Sequence, residues 1–135
     1  MLNAQEEALV NAFVVRQKRE RILGMLGSGK GRKKLLRELP HFKDLDVRFV
    51  QSISPINQPP HDILRILIAK GAGSACRVIS ENPDLDGKEM LLSEALEKVV
   101  GRGYGTLLSC IPSRLGYYEG EDTGRRFVLE RPVSP

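Results

Sequence analysis

Apolar residues recur at helical spacing over the first 26 residues of the chain. Asn3 is placed to cap a helix, and Glu6 three positions later completes a capping-box pattern. A first apolar stripe, interrupted by Arg19, runs the whole length, and a second covers the neighbouring face of the first half. The two stripes hold Ala8, Ala12, Val15, Ile22, Leu26 and Leu9, Val10, Phe13, Val14. This pattern predicts one helix over residues 4–26, polar on every side between residues 16 and 21.

Two further helices are predicted before the middle of the chain. Glycines at 24, 27, 29 and 31 end the first helix, and a second one over residues 30–39 has cations on one side and leucines on the other. Pro40 ends it. Residues 60–70 are apolar on nearly every side and predict a core helix, with Gly71 at its C-terminus.

The pattern then changes to that of strands. Alternation of Leu45, Val47 and Phe49 with polar residues predicts a half-buried strand inside a Pro-containing connector. Ser93 is placed to cap a short helix over residues 94–100. Further strands are predicted over residues 75–80, 89–92, 105–111, 115–119 and 126–130.

These elements predict an α+β fold of a single domain, 1–135, which is an ordinary size for one hydrophobic core. Two N-terminal helices and a core helix would pack on a mostly antiparallel sheet of about five strands with one inserted short helix. The domain divides into a basic helical arm (1–39), a connector (40–62) and an α+β core (63–131).

Composition narrows the class of protein. Residues are 41% hydrophobic and 28% charged, which is typical of a globular chain. The longest apolar stretch is too short to cross a bilayer, and the N-terminus does not resemble a secretory signal. Cys76 and Cys110 fit no metal-ligand spacing. We therefore expect a soluble, cytoplasmic protein whose cysteines are buried in strands.

The net charge of +4 is unevenly distributed. Residues 16–38 hold nine Lys or Arg against Glu20 and Glu38, a balance of +7, and the rest of the chain has a balance of −3. A cationic helix face is suited to the phosphates of a nucleic acid backbone. The candidate anion-binding residues are Arg16, Lys18, Arg19, Arg21, Lys30, Arg32, Lys33, Lys34 and Arg37. The competing interpretation is that these cations form a solvated helix face that binds no partner.

Two short motifs resemble ligand loops only in part. The segment from Gly24 to Gly31 nearly matches a phosphate-binding loop, but it lacks the hydroxyl residue after Lys30 and the strand before it. The segment from Asn82 to Gly87 resembles the front of a calcium loop, but Ser93 stands where a bidentate Glu is needed. We interpret the first as a joint between helices and the second as a turn, and predict neither cofactor nor metal.

Catalytic patterns are sparse. Cys110 with His41 or His61 would form a nucleophile–base pair only if the fold brought them together. Carboxylates at the turns 81–89 and 119–122 would supply acid–base chemistry if they met in one cleft. An enzyme using those carboxylates is therefore the third hypothesis.

The leading hypothesis is a non-enzymatic binding module. Its basic segment would contact an anionic partner, either a nucleic acid backbone, which we favour, or an acidic protein surface. Base-specific binding is not expected, because the chain has three tyrosines and no tryptophan. The alternative is a protein-interaction or immunity/antitoxin-type protein that binds through its first helix or its sheet hairpins, with a homodimer through the first helix as one form.

Overall fold

A computed structural model of the chain describes residues 2–54, 59–121 and 125–132. It contains five α-helices and one six-stranded sheet, so the predicted α+β class is confirmed, with six strands rather than five. The helices are α1 (Ala4–Phe13), α2 (Arg19–Leu26), α3 (Gly29–Glu38), α4 (Pro60–Ala69) and α5 (Leu92–Val99). The strands are β1 (Val50–Ser52), β2 (Ala75–Ser80), β3 (Glu89–Leu91), β4 (Thr106–Ile111), β5 (Leu115–Glu119) and β6 (Arg126–Glu130).

The sheet is antiparallel throughout, in the order β1-β6-β5-β4-β2-β3. Both of its faces are covered. Tyr117 packs in a cluster with α4 and α5, and the adjacent Tyr118 packs in a second cluster with α1, α2 and α3. Successive side chains of a strand point to opposite faces of the sheet, so the two adjacent tyrosines lie on opposite faces. Both are buried, because neither face of the central strands meets solvent.

The single helix predicted over residues 4–26 is wrong. The chain is extended at Val14 and Val15, and a 3₁₀ turn at Arg16–Lys18 separates α1 from α2. Val14 forms a bridge with Leu45, and the Val15 N–H donates to the Asp44 carbonyl at 2.8 Å. β-Branched residues have a lower helix propensity, and Val14 at the break is buried in the cluster that also holds residues of α1, α2 and α3.

The strand predicted over residues 45–49 is also wrong. Val47–Phe49 is a 3₁₀ turn, capped by the Asp46 carboxylate, which accepts from the Arg48 N–H at 3.1 Å. This cap turns the chain out of the extended conformation and leaves Val47 82% exposed. The strand of this region, β1, follows at Val50–Ser52 and pairs with β6 at the edge of the sheet.

Two helices differ in detail from their predictions. Helix α4 is buried on one face only: Ile63 and Leu67 are inaccessible, whereas Ile68 is 54% exposed. Helix α5 begins at Leu92, two residues before the start that a Ser93 cap predicts, with Leu91 in the N-cap position and no side-chain cap. At α1 the predicted cap is present, since the Asn3 side chain accepts from two backbone N–H groups.

The basic segment packs on the sheet. Leu9 and Phe13 of α1, Ile22 of α2 and Leu35 of α3 belong to one cluster with the sheet residue Leu107. The apolar residues of α1 from position 9 to 13 are therefore buried within the protein. They pack with α2 and α3 on the face of the sheet that carries Leu107.

Candidate functional site

Helices α2 and α3 form a hairpin. Gly27 and Ser28 connect them, and the helices run antiparallel, because Arg21 near the start of α2 pairs with Glu38 at the end of α3 at 3.3 Å. The Ser28 hydroxyl caps α3 by accepting from the Gly31 N–H at 3.1 Å. The glycine-rich segment is thus a joint between two helices, as its flanking sequence predicts.

Gly31 of α3 lies against the end of α2. A Cβ atom at this position would lie 2.7 Å from the Ser28 hydroxyl oxygen and 2.8 Å from the Met25 Cα. By contrast, a Cβ at Gly24 would meet nothing within 4 Å. Only a glycine at position 31 lets α3 cross α2 at this distance.

One face of α3 is cationic. Lys30, Lys33, Lys34 and Arg37 are all exposed, and Leu35 on the opposite side is buried. None of the four cations takes part in an ion pair in the described part of the chain. At a rise of 1.5 Å per residue, the four span about 10 Å along the helix axis. The predicted division of this helix into two sides is therefore present in the fold.

Four of the remaining predicted cations lie before or in α2 and differ in their surroundings. Arg16 and Lys18 are exposed in the 3₁₀ turn before α2. Arg21 is exposed but paired with Glu38. Arg19 is half-buried, and its Nε donates to the Val14 carbonyl at 2.9 Å, which supports the break between α1 and α2.

Arg32 lies in an internal charge network. It donates to both oxygens of Glu6, at 2.7 and 2.9 Å, and to both oxygens of Asp86, at 2.8 and 3.0 Å. Arg77 of β2 adds a third donor to Glu6 at 3.1 Å. Hydrogen bonds to Glu6 and then to Asp86 raise the pKa of the Arg32 guanidinium. Since its donors are directed to these carboxylates, Arg32 ties α3 to α1 and to the β2–β3 turn.

The fold adds one cation that the sequence pattern did not single out. The antiparallel bridge between Val14 and Leu45 brings the segment that contains Lys43 to the break between α1 and α2, just before the turn at Arg16–Lys18. Lys43 is exposed and, with Arg37, lines a groove of about 390 Å³. No local signal reveals this proximity, because it depends on pairing between segments about 30 residues apart. We define the basic surface as Arg16, Lys18, Lys30, Lys33, Lys34, Arg37 and Lys43.

The carboxylates of the turn at 119–122 contact neighbouring groups. Glu119 is buried and accepts from the Tyr117 hydroxyl at 2.7 Å and from the Gly101 N–H at 2.8 Å, with Arg126 at 3.5 Å. Burial raises the pKa of Glu119 and also that of Tyr117. Glu121 pairs with His41 at 2.6 Å. Asp122 lies outside the described residues.

The segment from Asn82 to Gly87 forms a turn between β2 and β3. The Asn82 side chain accepts from the Asp84 N–H, and Asp86 accepts from the Ser80 N–H, both at 3.0 Å. Gly87 has a φ of +76°, which favours glycine. Glu81 accepts from the Gly105 N–H at 3.4 Å. These oxygens therefore stabilise the turn, and Asp86 also holds Arg32.

Both cysteines are buried free thiols in strands, as predicted. Burial raises the pKa of Cys76 to about 12, and it also raises the pKa of Cys110. A thiol in such surroundings is a poor nucleophile, because the thiolate is the reactive form. His41 pairs with Glu121, and His61 lies 3.2 Å from Asp62 at the start of α4.

The described residues hold neither a membrane-spanning helix nor a cluster of metal ligands. Among the helices in residues 2–54, 59–121 and 125–132, none combines the length and the hydropathy that a bilayer-spanning segment requires. The same residues contain no group of three or more His, Cys, Asp or Glu side chains that would hold a metal ion. Comparisons with protein-family models, with curated proteins and with solved structures found no match.

Proposed function

We propose that this chain is a non-enzymatic binding module that holds the phosphate backbone of a nucleic acid without reading its bases. The observation that carries the proposal is the set of four exposed cations on one face of α3, none of them ion-paired within the described residues. Cations that neutralise phosphates release condensed counterions, which drives association whatever the sequence of the nucleic acid.

The arrangement of the basic surface favours a continuous polyanion. Lys30 lies near the start of α3 and Arg37 near its end, and Arg37 shares a groove with Lys43. Cations are thus distributed along a line, as the phosphates of a strand are. The network of Arg32 with Glu6 and Asp86 fixes the orientation of α3, so its cationic face is held toward solvent.

An acidic protein surface is the weaker alternative. Protein interfaces depend on a few apolar or aromatic anchors that become fully desolvated. The exposed face of α3 consists of Lys30, Lys33, Lys34 and Arg37, with its leucines directed inward. Such a face supplies charge without anchors, which suits a phosphate backbone better than a protein epitope.

The absence of an aromatic side chain from this face argues against base stacking. Tyr117 and Tyr118 are buried in the sheet, and Tyr104 lies in the loop between α5 and β4. Stacking platforms need exposed aromatic rings beside the cationic groove. Affinity is therefore expected to depend on charge and salt, and little on base composition.

The test measures binding of a generic DNA duplex by fluorescence anisotropy at several salt concentrations. With four phosphates contacted, the affinity should fall about 100-fold between about 50 mM and about 200 mM salt. The double variant Lys33→Glu/Lys34→Glu should abolish binding at the lower salt concentration.

The matched control is Arg65→Glu/Arg114→Glu, which makes the same change in net charge at two exposed positions outside the basic surface. It should retain most of the affinity. Equal losses in the two double variants would show that only net charge matters. That result, or no binding by the unmodified protein at low salt, would contradict the proposal.

A further inference from the structure

A second cleft, separate from the basic surface, lies between α5 and the β2–β3 turn. Its volume is about 550 Å³, within the range of small-molecule sites. One wall is formed by Glu94 and Lys98 of α5 and by Arg102 after it, and the other by residues of the turn. The same turn is held in place from its other side by the contact between Asp86 and Arg32.

The cleft has an excess of cationic groups. Lys88 is exposed and has no ion-pair partner among the described residues. Arg102 donates to the Glu97 carbonyl at 3.2 Å, a neutral acceptor that leaves the guanidinium charge uncompensated. Lys98 is paired with Glu94 at 3.1 Å in an exposed contact, which binds the ammonium group only weakly. Lys88 and Arg102 are therefore available to an anionic group of a ligand.

Tyr104 gives the cleft an aromatic side. It is 37% exposed, whereas the other two tyrosines of the chain are fully buried. Met90 and Leu85 add apolar surface beside it. An exposed ring next to unpaired cations is the combination on which a nucleobase stacks while its phosphate is neutralised.

The turn contributes polar groups of another kind. The Asn82 carbonyl oxygen accepts from the Asp84 N–H, which leaves the amide N–H₂ of Asn82 without a hydrogen bond inside the described chain. The Asp84 carboxylate is exposed and has no ion-pair partner there. A carboxylate and an amide beside a ring are suited to the hydroxyl groups of a ribose.

From this arrangement we propose that the cleft binds a nucleoside phosphate. The phosphate would lie at Lys88 and Arg102, the base on Tyr104, and the ribose hydroxyls against Asn82 and Asp84. This site uses none of the residues of the basic surface, so it does not depend on the proposed binding of a nucleic acid backbone.

The test is isothermal titration calorimetry of the intact protein with adenosine monophosphate, adenosine and inorganic phosphate as separate ligands. Adenosine monophosphate should bind with a Kd between about 10 µM and about 1 mM, and each fragment at least about tenfold more weakly. Lys88→Ala and Tyr104→Ala should each weaken its binding about tenfold. Both residues are exposed enough that these variants should fold, which circular dichroism would verify.

The control variant is Lys33→Ala, which changes a lysine of the basic surface and should leave the titration unchanged. No binding of adenosine monophosphate at millimolar concentration would overturn the proposal. Binding of phosphate as tight as that of the nucleotide would also overturn it, because the ring and turn would then contribute nothing. Unchanged affinity in both cleft variants would locate the ligand elsewhere and equally refute the site.

Discussion

Arg32 of α3 donates two hydrogen bonds to Glu6 of α1, at 2.7 and 2.9 Å, across 26 positions of sequence. Glu6 is 1% exposed, so its charge is compensated within the protein by Arg32 and Arg77. A buried carboxylate without such partners would be strongly unfavourable. The contact therefore fixes the helix that carries the basic surface.

The first prediction concerns this pair. Arg32→Ala should lower the free energy of unfolding by about 2–3 kcal/mol, because it leaves Glu6 buried with Arg77 as its remaining ion-pair partner. Lys33→Ala, at the neighbouring exposed position, should change it by less than about 0.5 kcal/mol. Chemical denaturation of both variants measures the difference. Equal stabilities would mean that the network contributes nothing to folding.

The second prediction compares two glycines of the α2–α3 hairpin. Gly31→Ala should destabilise the protein by about 1–3 kcal/mol, since its Cβ would overlap Ser28 and Met25. Gly24→Ala has open space in the interior of α2 and should stabilise it by about 0.5–1 kcal/mol. Thermal unfolding should therefore shift in opposite directions. A shift of the same sign in both variants would contradict the close approach of the helices.

The third prediction concerns the reactivity of the thiols. Cys76 and Cys110 are buried, and the pKa of Cys76 is raised to about 12. At about pH 8 a disulfide reagent such as Ellman's should release no colour from the native protein, because thiolate is scarce and access is blocked. Both thiols should react once denaturant is added, which serves as the control. Rapid reaction of the native protein would show that the sheet opens at these strands.

The fourth prediction follows from the raised pKa of Glu119. The unfolded chain loses this proton at about pH 4, before the folded chain does, so the wild type should lose stability as the pH rises from there to the folded pKa. Glu119→Gln does not titrate, and it keeps an oxygen for the Gly101 N–H. The stability of the variant relative to the wild type should therefore increase with pH over this interval.

Denaturation of both proteins at pH values from about 4 to about 7 measures this trend. The hydrogen bonds from the Tyr117 hydroxyl and the Gly101 N–H, and then the charge of Arg126, favour the carboxylate and offset part of the effect of burial. A difference between the Glu119 variant and the wild type that stays constant with pH would show that burial does not perturb this carboxyl.

Elements with local signals were predicted well from the sequence. Helix α3 follows from its leucine spacing and from Pro40, and strands β2, β4, β5 and β6 lie close to their predicted positions. In each of these elements the spacing of the apolar residues defines one face, either by strand alternation or by helical periodicity. The fold buries that same face, so the local pattern predicts the conformation. The cationic face of α3 was predicted for the same reason, because it depends only on the spacing of its residues along one helix.

Two elements were predicted wrongly, one because of a distant partner and one because of a side-chain cap. The helix break at Val14 and Val15 requires the segment around Leu45 to supply hydrogen bonds, and that segment is about 30 residues away. The 3₁₀ turn at Val47–Phe49 interrupts an alternating pattern because the Asp46 side chain caps it. In both places the hydrogen bonds of the folded chain outweighed the periodicity of the sequence.

By itself the sequence determined that residues 30–37 present a line of cations opposite a line of leucines, because a helix converts spacing into faces. It did not determine which cations are free. Arg32 and Lys33 are adjacent and similarly charged, yet Arg32 is held by Glu6 and Asp86 whereas Lys33 is exposed. Only the tertiary structure decided this, since a buried carboxylate must find its counter-ion, and the packing of α3 against α1 and the β2–β3 turn selects the residue that supplies it.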